Sequence, residues 1–329
     1  MGICVRRSIW PALIVAVLAE TLITAGCSRE ADSTDGAAGS QKRIVLGLSF
    51  PCGLNEYSTL LCKGARDAGS KLSEGYSFDI KTGVNYSDNV AFNNILQTLL
   101  QQDPAGFIVF PAGPAAQTPV LNQACDKGVK VVIIDSPADG VKCQVNFIGA
   151  DHYQLGASVG QWLVDHPSAS KEVGIVTQPP GQYASTDARV KGFTDAVEKA
   201  GFEVVATVTT DLSLDRTRTV VTNMVTAHPN LGAVFSANGP IGQGTAQALK
   251  GNSEIIQLSQ DGFVSDVKLI QDGEVAANAA QNPYQMGQLA VQYMVDALEG
   301  KDVPAKKYTT SMVVDKSNAQ EYIAAGGMH

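Results

Sequence analysis

The 329-residue chain has no block of basic residues, no C-x-x-C pair, no H-x-x-x-H and no unbroken apolar run of the length a bilayer requires. Each absence closes a class of function. With a formal net charge of −8 and its Lys and Arg residues scattered, the chain lacks the electrostatic footprint of a nucleic-acid partner. The cysteines lack zinc-ligand spacing and no histidine lies near them, so neither a metal nor another cofactor is expected. His152, His166, His228 and His329 stand without triad-like company. Aromatics make up only 6% of the chain whereas glycines number 32, which suits an alternating α/β protein with tight strand-to-helix turns rather than a β-sandwich. The glycine-rich stretch "GPIGQG" has neither the spacing of a dinucleotide fingerprint nor the lysine of a phosphate loop.

What is present begins with an export signature. Arg6 and Arg7 precede an apolar stretch from Ile9 to Ala19, broken by Pro11 and closed by Glu20, too short for a spanning helix but suited to an export signal. Thr24, Ala25 and Gly26 then lead into Cys27. The pattern resembles a bacterial lipoprotein signal, although Thr24 stands where a large aliphatic is more usual. That resemblance implies a signal peptide over 1–26, lipidation of Cys27, and anchorage on the outer face of a bacterial cell membrane. Residues 27–42 read as a flexible tether, because Ser28 to Gln41 has no apolar periodicity; its mean span is on the order of 20 Å.

Of the six cysteines, Cys4 leaves with the signal and Cys27 is taken by lipid, which leaves Cys52, Cys62, Cys125 and Cys143. An even number outside the reducing cytoplasm points to two disulfides. Three pairings are possible, and locality favours Cys52 with Cys62 and Cys125 with Cys143.

From Ile44 onward short β-branched runs alternate with amphipathic stretches of helical length. About eleven strands are expected, from "IVLGLSF" and "GFIVF" through "GAVFSAN" to "TTSMVVD". Helices are expected between most of them, for example Tyr57 to Ser73, Tyr153 to Val164 and Ser185 to Ala200. Continuous apolar strands between helices mean parallel sheets covered on both faces. The strands fall into two groups, with the break near Gly149 to Asp151, so the expected fold is two doubly wound α/β lobes. Ligands of such sheets bind beyond the carboxyl ends of the strands. There the chain carries Ser49, Asn55, Tyr57, Asp135, Gln178, Asn238, Asp261 and Gln281. Taken singly, Asp135, Asp261 and Asn238 read as turn residues, and Gln281 as a helix cap.

Together, "IVLGLSF…LNEYSTLLCKGA", "VVIIDS…FIGAD", "GFTDAV", "HPNLGAVFSANG", "QLSQDG" and "AANAAQNPYQMG" resemble the periplasmic sugar-binding proteins of the ribose-binding type, in that family's order. The resemblance runs from Lys42 to Asp315. It implies a type I periplasmic-binding-protein fold, with an N-terminal lobe of 43–149 plus 282–309 and a C-terminal lobe of 150–281 plus 310–329. Three crossings, near Gly149, Gln281 and Thr309, would form the hinge. It also implies ligand contacts at Asn55, Tyr57, Asp135, Asn238, Asp261 and Gln281, no cofactor, a monomer, and delivery of the ligand to an ABC permease and ATPase complex. Presentation of the closed form to a membrane sensor is the alternative.

Departures from the ribose pattern bear on the ligand. Ser136 and Asp187 align with family arginines, Ala150 with a serine, and Ser58 with the second of two adjacent aromatics. Without arginine to serve a ring oxygen, and with three accept-only carboxylates in Asp135, Asp187 and Asp261, the pattern favours an open-chain tetritol or pentitol over a pyranose. A pentose, hexose or other small sugar is the alternative. No enzyme is expected: "GASVG" matches G-x-S-x-G, but that motif needs a strand-turn-helix elbow and here it lies within a helical pattern.

Overall fold

The computed structural model describes residues 41–85, 88–111 and 113–327. The export signal, Cys27 and most of the tether lie outside the described residues. Among the described residues twelve strands and ten helices run in the order β1 (Lys42–Leu48), α1 (Glu56–Gly69), β2 (Tyr76–Thr82), α2 (Asn89–Leu100), β3 (Gly106–Phe110), α3 (Pro114–Asp126), β4 (Lys130–Ile134) and β5 (Gln144–Gly149). There follow α4 (His152–Asp165), β6 (Glu172–Thr177), α5 (Ala184–Lys199), β7 (Glu203–Thr209), α6 (Leu214–Ala227), β8 (Leu231–Ser236) and α7 (Gly239–Leu249). The rest is β9 (Ile256–Asp261), α8 (Val264–Gln271), β10 (Ala277–Gln281), α9 (Pro283–Leu298), β11 (Lys306–Tyr308), β12 (Ser311–Asp315) and α10 (Ala319–Ala324).

The strands form two six-stranded sheets, ordered β11-β5-β4-β3-β1-β2 and β12-β10-β9-β8-β6-β7. Strand β1 explains why they read as continuous apolar runs: Ile44, Leu46 and Leu48 pack into one core while Val45 packs into another on the opposite face. The first sheet is parallel throughout, and in the second only β12 runs antiparallel, against β10. Strand β11 raises the expected eleven strands to twelve. Its three residues are all exposed, so no apolar signal marked it.

Three passages join the sheets: from β5 to α4, from β10 to α9, and from β11 to β12. Helix α9 returns to the first sheet and buries Met286, Ala290, Val291 and Met294 in its core. Helix α4 packs against α5 and β10 in the second. Both major helix pairs cross at glycine: a Cβ on Gly64 would lie 2.0 Å from the Tyr284 carbonyl oxygen, and one on Gly156 1.9 Å from that of Arg189. The G-x-S-x-G stretch therefore sits inside α4 as a helix-crossing surface. Disulfides join Cys52 to Cys62 and Cys125 to Cys143, the local pairing. Among the described residues, no helix is long and apolar enough to cross a membrane.

Candidate functional site

The carboxyl ends of the two sheets face one another across a polar cleft. Asn55, Tyr57 and Asp135 enter it from the first sheet, and Gln178, Arg189, Asn238 and Asp261 from the second, with Gln281 at a passage between them. Asn55 and Asn238 also cap helices, accepting from the backbone N–H groups of Ser58 (2.9 Å) and Ile241 (3.0 Å). The capping box at Asn55 accounts for Ser58 where the ribose pattern has an aromatic: its hydroxyl accepts from the Asn55 N–H at 3.1 Å. Asp135, just after β4, and Asp261, the last residue of β9, have φ of 62° and 86°. Asp tolerates this left-handed region better than most residues, and the turn swings each carboxylate off the sheet into the cleft.

Asp187 does not line the cleft. Its carboxylate accepts from the Gly181 N–H at 2.8 Å and braces the loop ahead of α5. The cation missed in the sequence is Arg189, only 4% exposed and two residues further on. Its Nη1 donates to Asp261 Oδ1 at 2.9 Å and to the Ala237 carbonyl at 3.0 Å, and its Nε donates to His152 Nδ1 at 3.2 Å. Nη2 makes no hydrogen bond within the described protein and is available to an acceptor in the cleft. Asp261 is largely occupied, since Oδ1 also accepts from Gln281 at 2.7 Å and Oδ2 from the Gly239 N–H at 2.8 Å. Of the three carboxylates read from the sequence, only Asp135 retains a buried oxygen with no hydrogen-bond partner, Oδ1, which lies 3.6 Å from His152 Nε2; the Gln281 Oε1 likewise accepts no hydrogen bond.

The electrostatics follow from burial. Desolvation pushes Asp135 up to about 6, against the opposing pull of the Arg189 charge and a hydrogen bond from the Tyr57 hydroxyl; the Asp261 charge adds to the rise. His152 is pushed down to about 3, by desolvation first and then by Arg189. A neutral His152 that accepts from Arg189 at Nδ1 must carry its proton on Nε2, which donates to the Asp135 carbonyl at 2.8 Å. The chain Asp261–Arg189–His152–Asp135 thus ties the two strand ends together. A hydroxyl donated to Asp135 favours its charged form, so the carboxyl is more acidic with ligand bound than without. Affinity is therefore expected to fall as pH drops below about 6, by up to about tenfold per pH unit. Calorimetric titrations between pH 4.5 and 7.5 measure this directly, and a flat profile would remove Asp135 from the contact set.

Aromatic faces are also supplied from outside the expected position. Phe110, Tyr183 and Phe263 line the pocket with Tyr57. Such a site offers fixed donors and acceptors around ring-sized apolar faces, which suits a small polyhydroxylated solute. Among the described residues no group of His, Cys, Asp and Glu is placed to hold a metal ion.

A family model described as a periplasmic binding protein domain matches residues 46–302. The D-allose-binding periplasmic protein of Escherichia coli (strain K12) is 27% identical over 297 residues, covering 86% of this chain and 93% of the relative. The ribose import binding protein of Bacillus subtilis (strain 168) is 26% identical over 293 residues, covering 88% and 93%. Among solved structures, a glucose-galactose binding protein from Geobacillus stearothermophilus superposes with a TM-score of 0.77 at 26% identity, over 85% of this chain and 99% of the other.

Proposed function

The chain belongs to the periplasmic binding proteins, in the sugar-binding group of the ribose type, and on that premise we propose that it captures a cyclic pentose or hexose and hands it to an ABC importer. The observation that carries the reading is the pairing of an orphaned acceptor, Asp135 Oδ1, with an available donor, Arg189 Nη2, between aromatic faces. A sugar ring presents hydroxyl donors, a ring oxygen that only accepts, and an apolar C–H face. An alditol has no ring oxygen. The case for a tetritol or pentitol rests on two missing arginines, one missing aromatic and three carboxylates that only accept. Arg189, the surrounding aromatics, the placement of Asp187 and the three donors already held by Asp261 favour the ring sugar instead.

Binding without turnover is the proposed role, with the lobes 43–149 plus 282–309 and 150–281 plus 310–329 closing about the three passages as a monomer. Hinge closure of this kind is a general property of periplasmic binding proteins. The export pattern supports tethering of the mature chain to the membrane through lipid on Cys27. A thermal-shift and calorimetric panel of pentoses, hexoses and their alditols tests the ligand class. Aldoses are expected to raise the melting temperature; stabilisation by alditols alone would overturn the ring-sugar reading.

One contact reports on closure. Glu56, at the start of α1, accepts from the Val264 N–H at 2.9 Å and the Ser265 hydroxyl at 2.8 Å at the start of α8, joining the two lobes across the cleft. A carboxylate at a helix N-terminus is favourable, and at this exposed position the contact is worth about 1 kcal/mol. Glu56→Ala is expected to weaken sugar binding roughly fivefold while leaving the ligand-free melting temperature unchanged. An equal loss of ligand-free stability would mean that the contact does not belong to the closed form.

A further inference from the structure

The sugar pocket is not sealed on all sides. Beside it lies an outer cleft of about 870 Å³. The two share Asn55, Gln178, Tyr183, Leu212 and Pro240. The lobes touch at Glu56 and Val264, neither of which lines the outer cleft. Both lobes wall it, with Leu54 and Asn85 on one side and Gln182, Leu214 and Arg216 on the other.

Leu212 stands at the junction with φ of 72°. Glycine, Asn and Asp take this region readily, but a bulky leucine in it is an outlier, and strain of this sort is held at functional positions. Just outside, Leu54 and Leu214 remain 45% and 41% exposed on facing lobes, with the amide and guanidinium groups of Gln182 and Arg216 beside them. Apolar side chains flanked by donors match the two kinds of surface on a sugar ring.

We propose that the physiological ligand is a monosaccharide carrying a further unit, a glycoside or disaccharide. Its first ring lies among Asp135, Arg189 and Asn238, and its second unit lies in the outer cleft past Leu212. The proposal rests on the sugar-binding reading and refines its substrate class. The test is calorimetry of the full mature chain against D-ribose, D-allose, D-glucose and D-galactose, their methyl glycosides, and glucose- and galactose-containing disaccharides. At least one substituted ligand is expected to bind within tenfold of its parent sugar or more tightly. The double variant Leu214→Ala, Arg216→Ala is expected to weaken that ligand about tenfold and leave the free sugar within twofold. If free sugars bind and every substituted form loses a hundredfold or more, the outer cleft is not a subsite and the sugar-binding reading stands. Equal weakening of both ligands in the double variant overturns the proposal in the same way, whereas no response to any carbohydrate in the panel overturns both readings.

Discussion

Replacing Arg189 with Met is expected to lower sugar affinity by at least a thousandfold and to cost the fold about 3–5 kcal/mol. The guanidinium bridges Asp261 Oδ1, the Ala237 carbonyl and His152 Nδ1 through Nη1 and Nε, and Arg189 lines the cleft. Its removal leaves the carboxylate of Asp261, 5% exposed, without a counter-charge, and removing one partner of a buried pair is far more damaging than the pair's net worth. It also frees His152, whose ring otherwise holds the Asp135 backbone. Lysine is no substitute, because a point charge cannot reach three acceptors lying in different directions. Arg189→Lys is therefore expected to stay folded but bind roughly a hundredfold more weakly. Urea unfolding separates the stability loss from the calorimetric loss of affinity, and an Arg189→Met protein that binds within tenfold of wild type would contradict the site described above.

Gly156→Ala should be the next most damaging change, although the residue lies outside the pocket. The added methyl would sit 1.9 Å from the Arg189 carbonyl oxygen, a backbone atom that cannot rotate away, so α4 and α5 must separate. Overpacking of this kind costs about 1–3 kcal/mol, and here the displaced segment carries Arg189 itself. A fall of several degrees in melting temperature is expected together with about a tenfold loss of affinity. Ser158→Ala, in the same helix and the same G-x-S-x-G stretch, serves as the contrast. The Ser158 hydroxyl bonds only to the Leu155 carbonyl, so this change should leave both quantities within error. A stable Gly156→Ala protein with normal affinity would mean that the helix pair tolerates separation and that Arg189 does not depend on it.

Local chain chemistry was enough to mark the alternation of strand and helix, the two-lobe division and the polar strand ends. Each of these is written in windows of a few residues: apolar runs such as those around Ile44 and Val131, or Asp-Gly and Asn-Gly after a strand. The disulfides were legible for the same reason, since each joins cysteines close in sequence. Arg189 was not. A helix turns about 100° per residue, so the two positions from Asp187 to Arg189 carry a side chain to nearly the opposite face. A two-residue slip in a loop of unfixed length therefore exchanged a loop brace for the buried cation Arg189, on which the proposed contact to a ring oxygen rests.

By itself, then, the amino-acid order determined the architecture and the polar residues at the carboxyl ends of the strands, because hydrophobic period and turn chemistry act over short range. Only the tertiary structure decided which polar groups remain available there. Asp261 is paired with Arg189, 72 residues away, and Glu56 reaches Val264 across 208 residues, so whether a carboxylate is largely occupied or free depends on partners that no local pattern encodes.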